Sequence, residues 1–384
     1  MSAPPSASTQ RVRDQIDHPV IDSDGHMLEF FAPVRDRLRE IAGESLAKGF
    51  DAMLNAQQSA MRMTPEERRN LGMFRLTWWG FPARNTLDRA TAMLPKLQYE
   101  RLPEQGIDFA VVYPTFGMTA PMADDGELRT ALVRAFNRDY AENYAEFSDR
   151  LCPVALIPMH NPTEAIAELE YAVRTLKMKA VLLPSYVFRP LAGDNLPRAA
   201  RWLDTFGSES PYDYDPVWAK CVELGVNPTF HSSAMGWHSR NSQTSYVFNH
   251  LGNFAAASET ICRSLVLDGV PTRFPSLQFT FLEGGVAWAC NLYSDLLSHY
   301  EKRNRETIHN YNPAELDREL MRELFECYAG KRVIEHLDDL ESSLVFLADP
   351  NEDPKSIDEF ARSGIESPED IRNMFTSQIG RAHV

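Results

Sequence analysis

The chain has 384 residues, 43% of them hydrophobic, and a formal net charge of −15. That length suits two domains or one large α/β barrel with a substantial core, while the negative charge opposes binding to nucleic acid or to an anionic membrane surface. No run of 15 consecutive apolar residues occurs, so no membrane-spanning helix is expected.

Residues 1–17 are polar, with Pro4, Pro5 and scattered arginines, and they lack the apolar segment of a secretory signal. They read as a disordered tail. The stretch Pro19-Val20-Ile21-Asp22-Ser23-Asp24-Gly25-His26-Met27-Leu28-Glu29 then sets metal-ligand residue types directly behind a short apolar run. In an extended chain residues i and i+2 project to one side, so Asp24 and His26 can point together at a strand's carboxyl end, with Gly25 permitting a turn. A carboxylate and an imidazole so placed make half of a divalent-metal site. The alternative is an acidic turn capping the helix that follows.

Residues 28–75 are mostly helix-forming, with Thr64-Pro65-Glu66-Glu67 as a cap, first-turn proline and acidic start. Residues 28–100 read as a helical insertion that ends in a lid loop. In Phe74-Arg75-Leu76-Thr77-Trp78-Trp79-Gly80-Phe81-Pro82-Ala83-Arg84 the arginines offer bidentate donors and the aromatics a wall. Arg75, Trp78 and Arg84 are therefore candidate substrate-binding residues, unless the stretch is only a packed apolar loop.

From Arg101 apolar runs of five to nine residues alternate with helical segments, at 107–113, 151–159, 179–183, 226–231 and 277–282. With the first strand this makes six, and the pattern is that of a parallel sheet buried on both faces. No Gly-x-Gly-x-x-Gly fingerprint follows the first strand. Polar residues instead gather at several strand ends, which favours a (β/α)8 barrel over an open doubly wound sheet. Those residues are Asp24, His26, His231 and Glu283. His250 either caps a helix or carries a proton, Glu283 before Gly284-Gly285 is a proton carrier or an orienter of an imidazole, and His160 and His238 are weaker candidates.

Ile21-Asp22-x-Asp24-x-His26, the Phe230-His231 strand end, and Gly269-Val270-x-x-x-Phe274-Pro275-x-Leu277-x-Phe279 running to Leu282-Glu283-Gly284-Gly285 resemble the amidohydrolase-related (family 2) metal-dependent hydrolases of the aminocarboxymuconate-semialdehyde decarboxylase type. The resemblance covers roughly residues 18–303. It implies a TIM-type barrel with one divalent ion, zinc or else manganese, held by Asp24, His26 and His231. It also implies decarboxylation, hydration or hydrolysis of a small aromatic or unsaturated carboxylic acid, with His250 or Glu283 moving the proton.

Two departures stand out. Asp24 replaces a histidine common in that group, and Glu283 stands where many members carry a histidine. The group's last metal ligand, an aspartate ending strand eight, has no convincing counterpart. Residues 343–348 could form a strand before Asp349, but an acidic surface-like loop follows. A catalytically inactive barrel serving as a binding or scaffold protein is the alternative function.

Five cysteines (Cys152, Cys221, Cys262, Cys290, Cys327) are widely spaced and form no Cys-x-x-Cys pair. They are expected to be reduced, buried thiols of a cytoplasmic protein. A small-molecule substrate and a homodimer are the expected partners.

Residues 18–378 are expected to form one barrel domain in which strands seven and eight are missing through C-terminal truncation. Ile379-Gly380-Arg381-Ala382-His383-Val384 matches a translated sequencing adapter and reads as a non-native tail, so His383 is not counted as a ligand.

Overall fold

In the computed structural model the chain is described for residues 7–71, 73–75, 84–193, 200–207, 209–231, 242–251, 253–344 and 356–381. Strands β1 (Ile21–Met27), β2 (Phe109–Pro114), β3 (Leu151–Leu156) and β4 (Ala180–Pro184) pair in parallel in chain order. A hairpin of β5 (Val187–Pro190) and β6 (Arg201–Asp204) stands apart as its own two-stranded sheet. The parallel sheet continues through β7 (Pro228–His231), β8 (Phe279–Phe281) and β9 (Ile379–Arg381).

Spatial order follows chain order, β1-β2-β3-β4-β7-β8-β9. A doubly wound sheet reverses direction at a switch point, and this one never does. The sheet also curls. Four inter-strand steps separate β1 from β7, about 19 Å if the sheet were flat, yet the rings of His26 and His231 lie 5.1 Å apart. This is the winding and curvature of a barrel, with β1 and β9 unpaired to each other among the described residues. Among the described residues seven parallel strands are present, one more than the sequence pattern suggests. β9 has only three residues, and Ile379 is its single large apolar side chain.

The helical insertion begins with Phe31–Arg62, kinked at Gly43 where φ is +83°. Its inner face meets helix Gly126–Tyr144 through the edge-on rings of Phe50 and Phe136, 6.0 Å apart. Helix Pro65–Asn70 starts at the expected cap, a reciprocal capping box of Thr64 and Glu67 with Pro65 behind it. Gly225 closes helix Asp215–Leu224 in the left-handed conformation. Helices Glu359–Ser363 and Pro368–Asn373 return to the core, burying Phe360 and Ile371, and a helical turn Met374–Gln378, which buries Phe375, leads into β9.

Several expectations change. β1 does not stop at Ile21 but runs on to Met27, with Gly25 at a register shift between Asp22 and Gly25 rather than in a turn. A side chain at Gly25 would crowd Asp22 Oδ2 and the Val111 carbonyl oxygen at 3.0 and 3.1 Å. Ser343 and Leu344, read as the start of a strand, close helix Leu340–Leu344. Residues 345–350, with Asp349, lie outside the described residues, as do Trp78, His238 and His383. Only Cys221 and Cys262 are buried. Cys152 is half-buried, Cys290 and Cys327 are exposed, and none of the five forms a disulfide among the described residues. Among the described residues no helix is long and apolar enough to cross a membrane.

One carboxylate in helix Gly126–Tyr144 opposes folding at neutral pH. Burial raises Asp139 to about 6, and Glu142 adds to the rise while Arg37 counters it. A carboxyl raised in the folded state contributes most below its unfolded value and loses that contribution as pH climbs to the folded one. Asp139→Asn is therefore expected to stabilise the protein by about 1–2 kcal/mol at pH 7.5, after allowance for solvent screening, and by almost nothing near pH 4. Urea unfolding at the two pH values checks the sign.

Candidate metal centre

β1 and β7 bring three ligand residues, one carboxylate and two imidazoles, to one point at the carboxyl end of the sheet. Asp24, His26 and His231 each offer a ligand atom, and these atoms all lie within 4.8 Å of one another. Asp24 falls within the register shift and His26 in the regular pairing just after it, and both reach the same point. The Asp24 amide donates to Asp22 Oδ1 at 3.0 Å, which holds the irregular turn of backbone in place. His231 ends β7, with its side chain wholly buried, and its Nε2 faces Nε2 of His26 at 3.2 Å.

That spacing fits a shared cation. Two imidazole nitrogens about 2.0–2.1 Å from a tetrahedral ion lie about 3.3 Å apart. The carboxylate fits as well: both oxygens of Asp24 are buried without a hydrogen-bond partner among the described residues. Burial lifts Asp24 to about 7. Electrostatic interaction with His231 lowers it, and Glu283 and Asp22 push it further up. A cation at this point would supply the partner that keeps the carboxylate ionised. His26 is driven down to about 4 by burial, with His231 adding to the fall and Glu283 opposing it. It is therefore neutral near pH 7, as a ligand must be.

Glu283 follows β8 and reaches His231, Oε2 to Nε2 at 3.1 Å. Its backbone sits at φ +54°, a left-handed conformation that costs a non-glycine residue about 1–2 kcal/mol. The next residue must be small, because a side chain at Gly284 would meet Trp288 Nε1 at 2.7 Å and Ser258 Oγ at 3.0 Å. Burial raises the Glu283 carboxyl, but its hydrogen bond and electrostatic interaction with His231, with smaller electrostatic contributions from His26 and His250, outweigh it and hold the group below its ordinary value. Glu283 is thus an ionised carboxylate at neutral pH.

An aromatic wall flanks the three ligands. The ring of Phe254 stands edge-on to His231 at 5.5 Å and lies 5.0 Å from the ring of His250. Tyr113 of β2 lies 6.3 Å from His26 and 6.4 Å from His231. Arg75 docks on the segment after β7: its amide donates to the Ser242 carbonyl at 3.0 Å, and Asn249 Nδ2 donates to the Arg75 carbonyl at 2.6 Å. The exposed Arg75 guanidinium lies 5.1 Å from the ring centre of Tyr246. Arg84 is also exposed.

Along its length the sequence matches the amidohydrolase family profile over residues 21–334. The chain belongs to the amidohydrolase family. It is an enzyme of that superfamily, and its fold is similar to that of an amidohydrolase from Mycobacterium avium subsp. paratuberculosis K-10, with 18% identity and a TM-score of 0.50 over 75% of this chain and 78% of that one. A 5-carboxyvanillate decarboxylase from Sphingomonas paucimobilis matches at 16% identity and TM-score 0.46, over 74% of this chain and 72% of that one. Another from Novosphingobium aromaticivorans DSM 12444, complexed with manganese and 4-hydroxy-3-methoxy-5-nitrobenzoic acid, matches at 13% identity and TM-score 0.49, over 80% and 75%. No functionally curated protein matches the chain.

For this amidohydrolase the structure brings Asp24, His26, His231 and Glu283 together, and places the His250 ring 5.0 Å from that of Phe254, which also packs against His231. His160 is not part of the cluster. Its carbonyl accepts from Arg189 Nη1 at 2.6 Å, and its ring is lowered to about 4 by burial first and then by Arg129 and Arg189. Sequence reasoning missed Thr115, whose Oγ1 lies 3.3 Å from His26 Nδ1, and the ring neighbours Tyr113 and Phe254. A threonine directly after a predicted strand was the available signal for Thr115.

Proposed function

We propose that the chain is a metal-dependent lyase or hydrolase acting on a small aromatic or unsaturated carboxylic acid, with Asp24, His26 and His231 holding one divalent ion, zinc or else manganese. The observation that carries this reading is the convergence of three ligand atoms within 4.8 Å at the carboxyl end of a curled parallel sheet, where barrel enzymes keep their chemistry. The substrate class rests on the sequence motifs that resemble the decarboxylase-type amidohydrolases. The aromatic wall of Phe254 and Tyr113 suits a planar ring.

A divalent ion at this point supplies positive charge that polarises a carboxylate, carbonyl or hydroxyl oxygen. The protein's own groups do the rest. Glu283, ionised and pressed against His231, accepts a proton at its carboxylate. His250, its ring 5.0 Å from that of Phe254, is the second proton carrier. Arg75, anchored through its backbone to the segment after β7, offers a guanidinium to the substrate carboxylate, with Arg84 and Trp78 as further lid contacts.

Ultraviolet absorbance of a panel of hydroxybenzoates and muconic-type acids tests the proposal, with zinc or manganese supplied and then removed by chelator. Turnover of at least one acid that stops with chelator and returns with metal is the expected result. Turnover that is indifferent to chelator, or none with any acid under either metal, would overturn it.

A further inference from the structure

Glu29, the last residue of the ligand-bearing stretch, is buried and holds no ligand position. Its Oε1 accepts from the amides of Thr115 and Gly117 at 3.1 and 2.7 Å and from the Tyr140 hydroxyl at 2.9 Å, while Oε2 accepts from the Phe116 amide at 2.9 Å. Four donors converging on one buried carboxylate fix the backbone that leaves β2. The first residue so fixed is Thr115. Its hydroxyl donates to the Met27 carbonyl at 2.7 Å, and a hydroxyl has only one proton to give. Toward His26 Nδ1, at 3.3 Å, Thr115 Oγ1 can therefore only accept. Nδ1 must then carry the imidazole proton, which leaves the lone pair on Nε2, the atom that faces His231.

We infer that Thr115, held in place by Glu29, is the positioning residue that sets the tautomer and orientation of His26, so that Nε2 rather than Nδ1 is presented to the metal site. The inference rests on the proposed metal role of His26, but its first consequence concerns the metal-free protein. Outer partners of this kind typically change metal affinity by about 10- to 100-fold when removed. The β1 strand supplies the ligand, the loop after β2 supplies its orienter, and Glu29 ties the two elements together.

The test uses full-length protein with nitrogen-15-labelled histidines, free of metal, at neutral pH. Long-range proton–nitrogen correlation reports the tautomer of His26, assigned as the signal missing in His26→Gln. In the wild type His26 is expected to be protonated at Nδ1. Thr115→Val, nearly equal in shape, is expected to lose that preference and to bind Mn²⁺ about 10- to 100-fold more weakly. Thr115→Ser, which keeps the hydroxyl, is expected to retain both properties, and thermal unfolding of each variant checks that it folds.

A wild-type His26 protonated at Nε2 would overturn the inference whatever the variants do. So would a folded Thr115→Val with unchanged tautomer and unchanged Mn²⁺ affinity. If the tautomer follows the hydroxyl but no protein binds Mn²⁺ or Zn²⁺, the assignment of Thr115 as the tautomer-setting residue stands and the proposed metal function is the part that fails.

Discussion

His231→Ala is expected to weaken divalent-ion binding on the order of 100- to 1000-fold, because four-ligand protein sites hold zinc with about 10–16 kcal/mol, or roughly 3 kcal/mol per ligand. The residue is buried at the end of β7 and faces both His26 and Glu283, so no neighbouring side chain on that strand can replace it. Ion titration with a competing chromophoric chelator measures the affinity directly. Thermal unfolding gives a second readout, since an ion that binds only the folded chain stabilises it by about 2.7 kcal/mol at one hundred times its dissociation constant. The wild type should show that rise with Mn²⁺ or Zn²⁺ and the variant should not. Equal affinities within a few-fold would mean that the cluster does not bind the ion.

Gly117→Ala is expected to be strongly destabilising. A side chain there would fall onto the Tyr140 hydroxyl and within 3.0 Å of Glu29 Oε1. Both groups are buried and bonded to each other, so the methyl group must overpack the site or pull a donor off the carboxylate. Overpacking costs about 1–3 kcal/mol and an unsatisfied buried partner about 1–3 kcal/mol more, for a total of about 2–6 kcal/mol. Urea unfolding of Gly117→Ala, Tyr140→Phe and the double variant checks the mechanism as well as the size. Removing the hydroxyl makes room, so the double variant should be less destabilised than the two single effects combined. A loss below about 0.5 kcal/mol in Gly117→Ala, the range of an ordinary surface change, would contradict the packing described here.

The site was legible to the extent that its chemistry lies within one strand or at one strand's end. Asp24 and His26 announce themselves by spacing on β1, and His231 and Glu283 by ending apolar runs. Convergence of those ends could be expected only from the alternation of strands and helices, and the 3.2 Å approach of two imidazoles 205 residues apart is a property of the curled sheet. What pattern reading missed is short or long-range. β9 is three residues long, and the β5–β6 hairpin carries arginines and aspartate where a strand pattern would need apolar residues. Gly25 read as a turn because glycine after acidic residues ordinarily marks one, whereas here it relieves crowding by Asp22 and the Val111 backbone inside a strand. Thr115 and Glu29 have ordinary local patterns. Their partners lie 86 or more residues away, and no periodicity encodes that.

The central claim is that β1 and β7 place Asp24, His26 and His231 around one divalent ion. Anomalous X-ray scattering from crystals soaked in manganese or zinc tests it most directly. The expected result is a single strong peak bonded to Nε2 of His26, Nε2 of His231 and a carboxylate oxygen of Asp24. A peak bound elsewhere, or none at these three atoms at saturating metal, would contradict the claim.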